Sequence, residues 1–101
     1  MFKLIPNPTF YSSVVGIVPG STSALELEFR HKDKDELAAY LNSAQGRSDY
    51  DLIDEIVVGW RGVDVGFDAT SLHALLNNYP ASAARIVSAY CDALAGARLG
   101  N

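Results

Sequence analysis

The side chains equipped for chemistry are few, and their spacing does not gather them. His31 and His73 sit on separate predicted elements, and neither belongs to a metal-ligand spacing. Cys91 is the only cysteine, so no intrachain disulfide forms. No basic residue stands beside it to lower its thiol pKa, and it reads as a small core residue. Asp49, Asp51, Asp54 and Glu55 cluster without the ligand order of an EF-hand, which is the pattern of a solvated helix face. Gly59, Gly62 and Gly66 lack the lysine and hydroxyl that follow a phosphate loop. Ser12-Ser13 and Ser21-Thr22-Ser23 lack the surroundings of a nucleophile elbow. The expectation is a protein that is not an enzyme and takes no metal or cofactor. What remains is apolar and aromatic recognition, centred on Trp60, the one tryptophan, and Phe67.

Bulk composition agrees. The 101 residues suit one domain, 49% are hydrophobic, and only 20% are charged, which is the balance of a folded chain. A net charge of −4 argues against nucleic acid. The one basic group, Arg30, Lys32 and Lys34, is interleaved with Asp33, Asp35 and Glu36. The first ten residues carry Pro6 and Pro8 and do not resemble a signal peptide. No apolar run approaches the roughly 20 residues of a membrane helix. These readings place the protein in the cytoplasm, away from membranes.

The elements that must position the aromatics follow from pattern. Thr9 to Val18 is rich in β-branched and aromatic residues and predicts a strand, bent near Gly16. Pro19-Gly20-Ser21 predicts a turn. Ala24 to Arg30 alternates, with Leu25, Leu27 and Phe29 on one face and Glu26, Glu28 and Arg30 on the other, which predicts a half-buried antiparallel strand. A hairpin alone is marginal, so helices must cover its apolar face. Asp33, Asp35 and Glu36 start a helix that carries Leu37, Tyr40 and Leu41 and stops near Gly46. Ser48 caps a second, with Leu52, Ile53, Ile56 and Val57 inward and an acidic outer face.

Ile56 to Phe67 then reads as a shaped Trp-Gly connection. Asp68 to Ser71 offers caps for a helix bearing Leu72, Leu75 and Leu76, and Pro80 suits the first turn of the next. That last helix carries a stripe of Ala83, Ile86, Val87, Tyr90 and Leu94. The predicted fold class is α+β: an N-terminal antiparallel β-hairpin, with room for an extra short strand, packed against about four helices. A single domain spans 1–101, with a hairpin region at 1–31, a helical region at 33–96 and a frayed tail at 97–101. Trp60 has two readings, a joint between the acidic helix and the C-terminal pair, or an exposed anchor. If fully buried, its truncation costs about 3–5 kcal/mol.

Four local patterns occur in a fixed order. They are Phe2-Lys3-Leu4-Ile5-Pro6-Asn7-Pro8-Thr9-Phe10 with the later Val18-Pro19-Gly20; Leu27-Glu28-Phe29-Arg30-His31-Lys32 leading into Asp35-Glu36-Leu37; Ile56-Val57-Val58-Gly59-Trp60 with Gly62-Val63 and Phe67; and Tyr79-Pro80-Ala81 with a helix through Tyr90 to Ala95-Gly96-Ala97-Arg98. Together they cover nearly the whole chain and resemble the tail assembly chaperones of long-tailed bacteriophages and prophages. The loop before Phe67 is shorter than is usual for that family.

The resemblance implies a non-enzymatic role in tail morphogenesis. Such a protein is expected to bind the tape measure protein, keep its apolar helices soluble, and help recruit tail tube subunits. In many relatives a ribosomal frameshift makes a longer form that contacts the tube protein, and a chain stopping after Ala97-Arg98 suits the short form. Self-association is a further expectation. The protein would work in the host cytoplasm and be absent from the mature virion. The candidate partner-contact residues are Trp60, Phe67, Tyr79, Ile86, Tyr90 and Leu94. The alternatives are a structural or tail-completion subunit, which would stay in the particle, and a small phage regulatory binding protein. A DNA-binding regulator would need more cations in the C-terminal helices than Arg85 and Arg98.

Overall fold

The alternation in Leu25-Glu26-Leu27-Glu28-Phe29-Arg30 decides the layering. In the computed structural model, which describes residues 1–96, Ala24–Arg30 is strand β2, with Leu27 and Phe29 buried beneath the sheet. It is the middle strand of a three-stranded antiparallel sheet. Strand β1, Thr9–Val15, pairs with it along its whole length, from Thr9 opposite Arg30 to Val15 opposite Ala24. The strand ends before the expected Val18 because the backbone at Gly16 turns to φ +82°, a conformation that side chains resist. The Arg85 side chain closes the remaining space, since a Cβ on Gly16 would lie 3.2 Å from its Nε. Val18-Pro19-Gly20-Ser21 forms the turn, with Ser21 N–H donating to Val18 C=O and Gly20 at φ +71°.

Helix α1, Lys34–Asn42, opens with a reciprocal cap: the Asp33 carboxylate accepts from Glu36 N–H, and Glu36 accepts from Asp33 N–H. Helix α2, Asp49–Ile56, begins where the Ser48 hydroxyl accepts from Asp51 N–H. The chain then departs from the expected connection. At Val57 the backbone becomes extended, and Val57–Arg61 is a third strand, β3, on the far side of β2. Leu27 faces Trp60 and Glu28 faces Gly59, but Phe29 faces Val57, so Val58 is the extra residue of a β-bulge. The Trp-Gly segment is therefore half strand and half loop. Val57, read as the last apolar residue of the helix, begins the strand and is buried there.

Helix α3, Ala69–Asn78, carries a second reciprocal cap between Asp68 and Ser71. Helix α4, Ser82–Ala95, starts without a side-chain cap. Pro80 lies in the turn before it rather than in its first turn, because the N-cap position is Ala81 and Ser82 N–H already donates to Tyr79 C=O at 2.9 Å. The expected tail at 97–101 lies outside the described residues.

The helices cover the face of the sheet that carries Leu27 and Phe29. Ile53, Ile56, Leu72, Ile86 and Tyr90 meet these strand residues in one core. An aromatic chain fixes the geometry: Phe29 lies 5.1 Å from Tyr90 and 5.6 Å from Phe10, and Tyr40 meets Tyr90 edge-on at 6.1 Å. Both buried phenols are satisfied, Tyr90 donating to Arg30 C=O and Tyr40 to Leu52 C=O, each at 2.7 Å. The opposite face stays polar, with Arg61 bound to Glu26 at 2.6 Å and lying over the Tyr11 ring at 3.9 Å. That ion pair holds the Glu26 carboxyl below its usual range.

Candidate partner-binding groove

The end of β3 is shaped by its loop. Gly62 turns the chain at φ +74°, and Val63-Asp64-Val65 arches back so that the Trp60 indole N–H donates to Val65 C=O at 2.9 Å. Phe67 then meets the indole edge-on, with ring centres 5.1 Å apart. Ser71, in the first turn of α3, donates from its hydroxyl to Gly66 C=O at 2.8 Å and pins the far end of the loop. Trp60 is thus held by Val65 and Phe67, in a loop that Ser71 anchors, while remaining half-buried.

Between this loop, the start of β2 and α3 lie two adjoining recesses of about 310 and 280 Å³. Leu25, Val63, Leu75 and Tyr79 line both, and Trp60 and Val65 extend the second. Among the lining residues Asp64 alone carries a formal charge, and Val65 is 53% exposed. The surface is an apolar trough with an acidic group on its rim, suited to an amphipathic segment rather than to a reaction.

The candidate contact residues divide in three. Trp60, Phe67 and Tyr79 come together here, Phe67 as a buttress rather than a wall. Ile86 and Tyr90 are 0% exposed and belong to the core, so they offer no surface in this fold. Their helical spacing marks the inward face of α4, and the inward face here is sealed by the sheet. Leu94 is half-buried and lines separate recesses with His31, near Phe10 and near Leu37. Leu25, Val63, Val65 and Leu75 were not among the sequence candidates. The signal was the pair of valines flanking Asp64 in a Gly-bounded loop, where apolar residues have no local reason to be.

The reactive side chains are engaged elsewhere. His73 stacks on Tyr50 at 3.8 Å. Burial pushes the Cys91 thiol up, away from the nucleophilic thiolate. Glu55 is bound by Lys32 at 2.8 Å and Arg47 at 2.7 Å, and these hydrogen bonds hold its carboxyl below the usual range. Among the described residues no three of His, Cys, Asp and Glu group as metal ligands, and no helix is long and apolar enough to cross a membrane.

A family model described as phage tail assembly chaperone matches residues 1–101, the whole chain. The chain belongs to that family. Comparison with curated proteins and with solved structures returned no match. Family membership makes phage tail proteins the partners of this chaperone and tail assembly its setting. It also fits the trough, because a tail assembly chaperone has to hold another protein.

Proposed function

We propose that the protein is a non-enzymatic chaperone that shields an apolar helical stretch of the tape measure protein and presents it to tail tube subunits. The observation that carries this reading is the trough beside Trp60 in a member of the tail assembly chaperone family. Leu25, Val63, Leu75 and Tyr79 would receive residues spaced one helical turn apart on the client. Asp64 on the rim favours a client helix with a lysine or arginine beside its apolar stripe. The net charge of −4 helps the complex stay dissolved.

Co-expression with the neighbouring long, helix-rich gene product tests the reading. The expected outcome is a soluble complex that copurifies, and Val63→Glu should abolish it while leaving the chaperone folded. Insolubility of the client in the presence of abundant chaperone would sink the proposal. The same reading puts the protein in the host cytoplasm and outside the finished particle. Its detection at stoichiometric levels in purified virions would favour a tail-completion subunit instead.

A further inference from the structure

Strand β1 is a sheet edge without the usual guards. Among the described residues it pairs with β2 alone. Thr9-Phe10-Tyr11-Ser12-Ser13-Val14-Val15 holds no charge and no proline, the devices that keep exposed edges from pairing. The bond from His31 N–H to Pro8 C=O, 2.8 Å long, fixes the alternation of its backbone. Phe10, Ser12 and Val14 turn their backbone groups toward β2, so Thr9, Tyr11, Ser13 and Val15 offer theirs to the open side.

Beside the edge, a recess of about 360 Å³ separates β1 from α4. The helix runs against the direction of the strand, with Arg85 at the Gly16 end and Leu94 at the end of Thr9 and Phe10. Between them Ser88, Ala89 and Ala93 keep the helical wall low. Arg85 is exposed, and among the described residues its guanidinium has neither an ion-pair nor a hydrogen-bond partner. Asp92, the other charge in the wall, lies about two helical turns further on and is already engaged within the chain.

We propose that this edge receives an extended segment of another protein, added antiparallel to β1 with a carboxylate facing Arg85. Main-chain bonds to Thr9, Tyr11, Ser13 and Val15 hold such a segment, and alternate side chains select it. The residue opposite Val14 turns to the helix side, where Arg85 stands free to bind a carboxylate. The residue opposite Ser12 turns the same way and fills the recess over Ala89. The pattern wanted is therefore an acidic residue, any residue, then a large apolar one. Charge also decides against the two nearest rivals. A second copy of β1 brings no carboxylate to Arg85, and the chain's own Met1 to Ile5 brings only Lys3. The trough beside Trp60 lies toward the opposite edge of the sheet, so the two surfaces can be filled together.

The probe is a blocked peptide, Thr-Glu-Thr-Leu-Thr-Val-Thr, added to the isotope-labelled full chain while backbone amide shifts are followed by NMR. A titration to about 5 mM covers millimolar binding. Saturable shifts are expected at the amides of Thr9, Tyr11, Ser13 and Val15. Arg85→Glu should weaken this peptide about threefold or more, and so should a lysine in place of the peptide's glutamate. The two changes together should restore binding, because the swap recreates the pair. Val63→Glu should leave the peptide's affinity unchanged, so failure at the trough and failure at this edge are read separately. No saturable shift at those four amides, or equal affinity of both peptides for the wild type, overturns the proposal. So does slow hydrogen exchange of the four amides in the free chain, which means that a second copy or the N-terminal arm already covers the edge.

Discussion

Trp60 is fastened by an edge-to-face contact with Phe67 and by its N–H to a loop carbonyl, yet it is only partly buried and lines the trough. Trp60→Ala should therefore cost about 2–3 kcal/mol, less than for a fully buried indole, with the loss read from urea denaturation. Trp60→Phe keeps the edge contact and leaves Val65 C=O to water, and should cost about 1 kcal/mol or less. Tyr90→Phe is the contrasting case. Its hydroxyl bonds the Arg30 carbonyl from a fully buried ring, and its removal should cost about 1–3 kcal/mol by the same measurement. The sequence showed that Tyr90 and Leu94 share a face of one helix but not that the sheet seals only part of it. Periodicity reports direction. Depth depends on Phe10 and Phe29, which reach Tyr90 from strands far away in the chain.

At the level of elements, what was legible was what local chemistry decides. Asp33 and Ser48 cap the helices they were expected to begin, and the alternation of β2 sets the two sheet faces as read. Strand β3 was not legible as such. Val57-Val58 continues the apolar spacing of α2, and only the vacant edge of β2 recruits it into the sheet. The groove suffered likewise, because Leu25, Val63 and Leu75 come from three elements that pattern cannot place side by side. The cap at Asp68 ties such an element to the site. Its carboxylate accepts from Ser71 N–H while the Ser71 hydroxyl holds Gly66 C=O at the loop end. Asp68→Ala should lower stability by about 1 kcal/mol in thermal denaturation. It should also weaken client capture beyond that loss, since the loop wall of the trough comes free. Unchanged capture by the folded variant would mean that the loop is not part of the binding wall.

Across the whole molecule, one ionic cluster ties three segments together: Glu55 of α2 takes Lys32 from the β2–α1 connection and Arg47 from the α1–α2 connection. Because its carboxyl is held low in the folded state, the stability it contributes is present above the unfolded value of about 4.3 and is lost as pH falls through the folded value. Alkali acts on the other side of the core. Burial raises the Tyr40 phenol to about 12 and moves Tyr90 in the same direction. A phenol raised on folding contributes stability that is complete below its unfolded value of about 10 and disappears as pH climbs through the folded one. Urea midpoints measured across pH should thus show a plateau bounded by an acid limb and an alkaline limb. The limbs have different leading causes, paired carboxylate and buried phenol, so variants should move them to different extents. Arg47→Ala should lower the plateau and flatten the acid limb, and it should move the alkaline limb slightly to higher pH, because the Arg47 charge holds the Tyr40 phenol down. Tyr40→Phe should reduce the alkaline limb instead, leaving only the part that the buried Tyr90 phenol carries. If Arg47→Ala leaves the acid limb as steep as in the wild type, Glu55 is not the group that links acid to unfolding, and the Lys32–Glu55–Arg47 cluster does not hold the first two helices to the sheet.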